Sequence, residues 1–404
     1  MTTSEKPPLT SVEICAGAGG QAVGLHKAGF KHVALVEIDK HAAAALDRNL
    51  QDRDEWEWER QHGKVHPMDV KDFKPAEHIT DFKHGEIDLL AGGVPCPPFS
   101  LAGRQLGQDD ERDLFPTMLD LVKKIGPKAV MIENVRGLLQ PAHKFAGYRD
   151  YIVSELETLG YHVCKWDMVE AADYGVPQLR PRAILVAIHS DYYAEKFEWP
   201  TGNSEYKTVF EALKKSMKIR YDKAKKLYPE LAADLDERRR YWEKKAKAGG
   251  VAPTLVGGSK KHGGADLGPS RAKAAWRQLG VDAMGVANDE DGEINVGRDL
   301  LSEHGPKLTV RQAAIIQGFP ENWYFEGGKT ARYRQVGNAF PPPVAEAFGR
   351  AIAEVISLGR RPDAGQCEEP WSGSGSSGTP AEDSCGAPSA FSDNRADLKG
   401  ATLW

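Results

Sequence analysis

The sequence predicts an α/β protein built on a mostly parallel sheet, and three features carry this prediction. Strand and helix patterns alternate over the first hundred residues, as in βαβ units. A Gly-rich turn links the first predicted strand to the first predicted helix. The loop at residues 92–100, Gly-Gly-Val-Pro-Cys-Pro-Pro-Phe-Ser, follows a buried apolar run. Open α/β sheets bind ligands at such loops, so these features also predict where the functional site lies.

The predicted elements follow from the periodicity of the apolar residues. In the first region they are strands at residues 10–15, 32–38 and 88–91 and helices at residues 20–28 and 40–49. Later ones are apolar strands at residues 127–135 and 183–188 and a helix at residues 343–358. Between these last two regions, from about residue 191 to 307, the pattern becomes irregular.

Composition bounds the class of protein. The 404 residues leave room for two domains and a tail, and 41% hydrophobic with 27% charged residues is typical of soluble globular proteins. The five cysteines form no CxxC pair, which argues against a disulfide framework and structural zinc, so we expect a reducing compartment and no metal. There is no apolar signal core and no apolar run of about eighteen residues, so we expect a cytoplasmic protein without a membrane segment.

Charge is unevenly distributed around a net value of −5. Residues 207–247 hold fourteen Lys or Arg against seven Asp or Glu, whereas residues 361–404 hold three against seven. Taken alone, the basic segment is better explained as a solvated amphipathic helix, Lys-rich for solubility. Contact of this segment with a polyanion becomes the better interpretation only if other motifs in the chain indicate a polyanionic substrate.

Cys96 is a candidate nucleophile. It lies just beyond the carboxyl end of a predicted buried strand, and prolines at 95, 97 and 98 stiffen the backbone and withhold hydrogen-bond donors around it. The alternative is a buried cysteine that packs as a small hydrophobe, which is the commoner role of a lone cysteine. The position of the loop, where open α/β sheets bind ligands, favours the nucleophile.

The turn after the first strand, residues 16–20, reads Ala-Gly-Ala-Gly-Gly and lets a ligand approach the backbone closely. Ala22 occupies the position of the last glycine in the dinucleotide-binding pattern GxGxxG, so the turn does not match that pattern. Glu37 ends the next strand, twenty residues after Gly17, where a carboxylate can accept hydrogen bonds from ribose hydroxyls. The Gly-rich turn, Glu37 and Asp69 together predict an adenosine-containing ligand. Asp69 taken alone could equally be an ordinary turn residue.

Two further groups of polar residues lie next to predicted strands. Glu133 ends an apolar strand, and a parallel sheet would place it near the nucleophile loop; it could also cap the next helix, and Asn134 could close a turn. Gln178, Arg180 and Arg182 alternate in an extended segment, so their side chains share one face. Two arginines and a glutamine that point together are unusual for a merely solvated edge.

In this order, these segments resemble the motifs of DNA (cytosine-5) methyltransferases of the bacterial restriction-modification type. The resemblance runs from about residue 10 to 353, through residues 13–20, 36–39, 68–70, 92–103, 133–135, 178–182, 309–320 and 335–342. Pro97 stands where the family usually has Gln, which concerns loop contacts with DNA more than the chemistry. Cys15 stands where the family has a Phe that packs near the adenine, which leaves Ile38 as the apolar partner of that base.

The resemblance implies a Rossmann-like S-adenosylmethionine-dependent methyltransferase domain with a mostly parallel sheet, plus a smaller irregular target-recognition domain. It divides the chain into a catalytic and cofactor-binding domain at 1–190, a target-recognition domain at 191–324, a segment at 325–361 that returns to the catalytic domain, and a tail at 362–404. The Gly/Ser-rich composition of the tail predicts disorder.

The implied reaction methylates cytosine C5 in double-stranded DNA. Since C5 is too weakly nucleophilic to accept a methyl group directly, the thiolate of Cys96 first adds at C6 of a base swung out of the duplex. A protonated Glu133 at N3 and the amino group neutralises the charge, Arg182 holds the O2 edge and Arg180 supports the catalytic loop. The residues implied in binding S-adenosylmethionine are Ala16, Gly17, Ala18, Gly19, Gly20, Glu37, Ile38, Asp69, Val70, Pro95, Asn338 and Ala339.

Sequence choice is expected from residues 191–307, whose loops can reach base edges while Lys and Arg meet phosphates. The triplet Lys260-Lys261-His262 fits DNA contact and an exposed flexible turn equally. By the resemblance, the enzyme acts on DNA as a monomer in the bacterial cytoplasm, associated with the nucleoid through DNA, and a cognate restriction endonuclease would act independently.

The residues leave three alternative functions open. An RNA cytosine-5 methyltransferase of the same fold is the strongest, although a basic recognition segment of over one hundred residues favours duplex DNA. An amino-methyltransferase is weaker, because a Cys in place of Asp, Asn or Ser before Pro-Pro-Phe lacks the carbonyl acceptor for the target amine. A non-catalytic DNA-binding protein is weaker still, since Cys96, Glu133 and Arg182 are all present.

Overall fold

The computed structural model describes residues 7–94, 113–202, 205–257, 265–289 and 294–361. The strands are β1 (Leu9–Ile14), β2 (Phe30–Val36), β3 (Lys64–His66), β4 (Leu89–Gly93), β5 (Ala129–Val135), β6 (Tyr161–Glu170) and β7 (Pro181–His189). The helices up to β6 are α1 (Gly20–Lys27), α2 (Lys40–Asp52), α3 (Glu57–His62), α4 (Pro75–His78), α5 (Phe115–Ile125) and α6 (Ala146–Thr158). Those after β7 are α7 (Val209–Leu227), α8 (Ala232–Gly249), α9 (Ser270–Gln278), α10 (Val296–Asp299), α11 (Val310–Gln317), α12 (Lys329–Asn338) and α13 (Pro342–Ser357).

The described strands form one sheet of seven in the order β3-β2-β1-β4-β5-β7-β6. β1 pairs in parallel with β2 and β4, and the next pairs outward, β2 with β3 and β4 with β5, are also parallel. β7 lies between β5 and β6 and runs antiparallel to both. The carboxyl ends of β1, β2, β4 and β5 therefore meet at one edge, and the strand order reverses between β1 and β4. The predicted mostly parallel α/β sheet is confirmed.

The central strands are buried on both faces, as parallel strands covered by helices must be. Leu89 and Leu90 of β4 and Val130 and Met131 of β5 have no exposed surface. On one face, α13 closes the chain back on α1, and a Cβ atom on Gly24 would lie 2.3 Å from the carbonyl oxygen of Pro342. Glycine at this position therefore lets the two helix backbones touch.

Local capping sets where several helices begin. The side chain of Asp39 accepts hydrogen bonds from the backbone amides of His41 and Ala42 at the start of α2. Capping boxes begin α7, at Thr208 with Glu211, and α11, at Thr309 with Gln312. These signals are visible in the sequence.

The region from 191 to 307 is more regular than predicted, because α7 and α8 are 19 and 18 residues long. Their apolar residues recur every three or four positions, and Leu213, Met217 and Tyr221 of α7 are buried in one cluster with Leu235 and Trp242 of α8. The basic segment at 207–247 thus forms amphipathic helices, as its sequence taken alone indicated. In the described residues no helix combines the length and apolar character needed to cross a membrane.

Candidate active site

A cavity of about 840 Å³ lies at the carboxyl edge of the sheet. Its wall is formed by the loop after β1, the ends of β2, β4 and β5, and the start of β7. Residues 254–257, which follow α8, and α12 complete the wall. A volume of several hundred Å³ suits a small-molecule ligand, and the position agrees with the rule that α/β sheets bind ligands at this edge.

The loop after β1 turns sharply, with φ of 56° at Gly17 and 91° at Gly19. A Cβ atom on Gly19 would lie 2.7 Å from Leu46 and 2.9 Å from Trp323, so Gly19 faces the protein interior. The indole nitrogen of Trp323 donates a hydrogen bond of 2.8 Å to the carbonyl oxygen of Ala18 and ties the loop to the chain's later half. Both glycines are therefore required by backbone conformation.

Glu37, immediately after β2, holds this loop in place. One carboxylate oxygen accepts a 2.7 Å hydrogen bond from the amide of Gly17, and the other accepts one of 2.7 Å from the amide of Asp39. Burial raises the pKa of Glu37, and the backbone donors oppose that shift. Since a carboxylate offers about four acceptor positions, Glu37 can still accept a hydroxyl. Beside it, Ile38 is 65% exposed and offers an apolar surface to the cavity.

Glu133 and Arg182 meet at the opposite part of the wall. Arg182 Nε lies 2.6 Å from Glu133 Oε1, and both side chains are 13% exposed. Their strands, β5 and β7, run antiparallel, which places Arg182 across from Val135 and brings the two side chains to the same edge. Gly93, the register partner of Glu133 on β4, leaves room for it, because a Cβ there would lie 3.0 Å from Glu133 Oε2.

Arg180 is buried and connects three segments. Its guanidinium donates to the carbonyl oxygens of Leu255 at 2.7 Å, Gly337 at 2.9 Å and Ala339 at 2.9 Å. Burial lowers the pKa of Arg180, yet three carbonyl dipoles offset part of the cost of the buried charge. Gln178 extends this network, because its amide accepts from the Leu255 amide at 2.7 Å and donates to Gln317 at 2.7 Å.

Most of the predicted site residues come together on this one wall. The predicted catalytic residues on it are Glu133, Arg180 and Arg182, and the predicted cofactor-binding residues are Ala16, Gly17, Ala18, Gly20, Glu37, Ile38, Asp69, Val70, Asn338 and Ala339. Gly19 lies behind the loop instead. Cys96 and Pro95 fall outside the described residues, as do the triplet at 260–262 and the tail from 362.

Several wall residues were not predicted, namely Glu13, Asn134, Arg334 and residues 254–257. Asn134 carried a partial signal beside Glu133, and its side-chain amide donates to the carbonyl oxygen of Val94 at 3.0 Å. Residues 254–257 and Arg334 carry no local signal, because they reach the cavity only through the packing of α12 against the segment after α8. Trp323, which anchors the glycine loop, was missed because it meets Ala18 only in the folded chain.

Two other cysteines lie in the described residues, and neither is an activated thiol. Burial raises the pKa of Cys164 to about 11 and raises that of Cys15 further, with Glu37 as a second cause at Cys15. A reactive cysteine needs the opposite shift. Cys15, which lines the cavity, is therefore a wall residue with an unusual backbone φ of 53°.

Comparison with known proteins identifies the family. Residues 9–354 match the model of the C-5 cytosine-specific DNA methylase family. The type II methyltransferase M.NaeI of Lentzea aerocolonigenes is 49% identical over 354 residues, covering 87% of this chain and 76% of that protein. M.NgoMIV of Neisseria gonorrhoeae is 45% identical over 351 residues, covering 86% and 98%. The methyltransferase EhMeth of Entamoeba histolytica shares the fold, with a TM-score of 0.55 at 15% identity over 88% of this chain and all of that one. The chain therefore belongs to the C-5 cytosine-specific DNA methylase family and is a DNA cytosine-5 methyltransferase.

Proposed function

We propose that the cavity binds S-adenosylmethionine against the glycine loop and receives, beside Glu133 and Arg182, a cytosine swung out of duplex DNA. The observation that carries this proposal is that Glu37 and Glu133, the two predicted anchors, line one continuous cavity. A methyl donor and its acceptor base must meet in the same space, because group transfer requires the reacting atoms to lie about 3–3.5 Å apart.

The cofactor half fits an adenosine-containing ligand. The Glu37 carboxylate, already fixed by two backbone amides, has lone pairs left for ribose hydroxyls. Exposed Ile38 offers an apolar face for a base, and Asp69 on the wall caps the 3-10 turn that follows it through the amide of Lys71 at 3.0 Å. S-adenosylmethionine, when bound, supplies the methyl group. The family's aromatic at position 15 is replaced by a small thiol, so Ile38 would carry more of the base contact.

The catalytic half fits addition of a thiolate to cytosine. In the proposed reaction Cys96 forms a bond to C6, which makes C5 nucleophilic. As negative charge develops in the ring, Glu133 donates a proton to N3 and becomes a carboxylate next to Arg182, whose charge stabilises it. After methyl transfer, water accepts the C5 proton, the C6–S bond breaks to release the Cys96 thiolate, and N3 returns its proton to the Glu133 carboxylate, which restores the aromatic ring. Arg182 would also hold the O2 edge of the base.

Arg180 would act as a positioning residue and would not contact the reacting atoms. It holds the backbone of Leu255, Gly337 and Ala339 together and so fixes the wall on which the base and cofactor lie. Its predicted support of the catalytic loop that carries Cys96 concerns residues outside the described ranges and stays part of the proposal.

The relatives suggest the biological setting. Because M.NaeI and M.NgoMIV are type II methyltransferases, we propose that the enzyme belongs to a restriction-modification system. It would methylate a specific double-stranded sequence as a monomer in the cytoplasm, associated with the nucleoid through DNA, while a cognate endonuclease acts independently. Residues 191–324 would serve as the target-recognition domain, 1–190 and 325–361 as the catalytic part, and 362–404 as a tail without a role in either.

A labelling experiment tests this function. Purified protein is incubated with methyl-tritiated S-adenosylmethionine and either duplex DNA or tRNA, and bisulfite sequencing then maps any methylated site. We expect tritium in DNA at cytosine within one short sequence. Label in tRNA alone would favour the RNA alternative. Exchange of residues 191–307 with those of a relative of different specificity should move the methylated site, and an unchanged site in a folded hybrid would refute the assignment of sequence choice to this segment.

A further inference from the structure

One face of α12 lines the cavity beyond the residues that sequence reasoning identified. Ala331, Arg334, Gln335 and Asn338 all belong to the wall, at helical spacings of three and four. Only Asn338 was expected there. Arg334 adds a positive charge to the wall one helical turn before Asn338.

Arg334 differs from the other arginines of this region in its partners. Arg180 donates to three carbonyl oxygens, Arg182 contacts Glu133, and Arg332 lies 2.9 Å from Asp289. Across the described ranges, Arg334 has neither an ion pair nor a side-chain hydrogen bond, and its Nε, like those of Arg180 and Arg332, is buried without an acceptor. A half-buried guanidinium with a buried unpaired N–H is costly unless an anion completes it.

The position of Arg334 is set by a close crossing of two segments. A Cβ on Gly337 would lie 2.4 Å from the amide nitrogen of Gly257, and a Cβ on Gly257 would lie 2.8 Å from the carbonyl oxygen of Arg334. Two glycines therefore bring the segment after α8 against the backbone of α12. Arg334 lies where this segment, part of the proposed recognition region, joins the cavity wall.

We propose that Arg334 binds a phosphate of the DNA strand that carries the target cytosine, next to the nucleotide swung into the cavity. This inference rests on the proposed function, in which the cavity receives a flipped-out base. A base leaves the stack by rotation of its own backbone, so its flanking phosphates lie at the mouth of the pocket that receives it. The guanidinium fork matches phosphate oxygens in two parallel hydrogen bonds, and such contacts fix the position of a nucleotide without reading its sequence.

The test compares Arg334→Gln and Arg334→Lys with Arg350→Gln. Arg350 is a matched control, since it is exposed on α13, pairs with Glu346 and does not line the cavity. Affinity for a duplex containing the site mapped by bisulfite sequencing is measured over a range of salt concentrations. Near-UV circular dichroism checks that each variant is folded.

We expect Arg334→Gln to reduce the slope of log affinity against log salt by about 0.9, the value for one lost phosphate contact, without changing the methylated sequence. Arg334→Lys should keep the slope, and Arg350→Gln should not change it. Duplexes with a single neutral methylphosphonate should locate the contact. When the methylphosphonate replaces the phosphate that Arg334 binds, next to the target, wild type and Arg334→Gln should have the same affinity.

Two results would overturn the proposal. One is an unchanged salt slope in folded Arg334→Gln. The other is a methylphosphonate series in which the variant's defect persists at every position. A raised dissociation constant for S-adenosylmethionine alone, with an unchanged slope, would assign Arg334 to the cofactor carboxylate instead. The tritium assay on the wild-type protein tests the proposed function and maps the site, whereas the role of Arg334 is decided by binding to that mapped site, so the two failures are distinguishable.

Discussion

The cavity wall and the exposed face of the α7–α8 helix pair both carry positive charges, but in opposite surroundings. On the wall, Arg180 is 1% exposed and donates to three carbonyl oxygens, and Arg182 is paired with Glu133 at 2.6 Å. On α8, Arg240, Lys244 and Lys247 are exposed. The acidic residues of this helix pair contact other cations, as Asp222 does with Lys218 and Lys225.

The difference separates two uses of positive charge. A buried charged hydrogen bond contributes about 1.5–3 kcal/mol and depends on geometry, so each wall arginine should matter individually. An exposed charge contributes little to stability and attracts a polyanion over a distance set by salt. Changes at Arg180 and Arg182, the buried and partnered arginines of the wall, should therefore alter chemistry or folding, whereas changes on α8 should alter only affinity and its salt dependence.

The largest effect is expected at the nucleophile. DNA containing 5-fluorocytosine should trap a covalent adduct with the wild-type enzyme, because fluorine cannot leave from C5 as a proton does. Cys96→Ala should form no adduct, as seen by denaturing gel electrophoresis. Cys15→Ser and Cys164→Ser are the controls and should still form it, since burial disfavours both thiolates. An adduct in Cys96→Ala would transfer the role to another thiol.

Glu133→Gln should lower the methylation rate by about 10²–10⁴-fold, because an amide is a poor acid. Binding of S-adenosylmethionine, measured by calorimetry, should change far less, since Glu133 belongs to the other part of the wall. A parallel loss of rate and cofactor affinity would instead mark Glu133 as a structural residue and remove the proposed division of the cavity.

Arg180→Met should destabilise the protein by roughly 3 kcal/mol or more, because three buried carbonyl oxygens lose a charged donor. Chemical denaturation measures this change. Arg350→Met, which removes an exposed i,i+4 pair with Glu346, should cost only about 0.5 kcal/mol or less. Equal effects of the two variants would mean that the buried network adds little to folding.

Replacing Arg240, Lys244 and Lys247 by Gln should flatten the salt dependence of DNA binding by roughly 0.9 for each residue that meets a phosphate. The methylated sequence should stay the same. Lys83, Lys123 and Lys124 serve as the matched set, because they precede β4 and β5 and so lie at the amino edge of the sheet, opposite the cavity. If both sets change the slope equally, the α8 surface has no special part in DNA binding.

The smallest effect is expected from removing residues 363–404. This tail is acidic and lacks apolar periodicity, so it should repel DNA and contribute neither rate nor site choice. Methyl incorporation and bisulfite maps of the truncated and full-length proteins should coincide. A changed site in the truncated protein would assign the tail a role in recognition.

Local sequence patterns predict the mostly parallel sheet, the starts of α1, α2 and α13, and the residue types at the sheet edge. These depend on local information: apolar periodicity gives the strands, capping residues begin the helices, and the carboxyl ends of parallel strands must meet at one edge. Glu37 and Glu133 could therefore be assigned to one site. The basic segment at 207–247 was predicted, taken alone, as an amphipathic helix, and the structure divides it into α7 and α8.

Long-range packing sets which side chains complete the wall and what each arginine contacts. Arg180 meets Leu255, 75 residues away, and Ala339, 159 residues away, and Trp323 meets Ala18 across 305 residues. It also turned Gly19 away from the cavity and brought Arg334 to it. No local pattern encodes such pairings, because they arise when the whole core packs and distant backbones come within hydrogen-bond distance of one another.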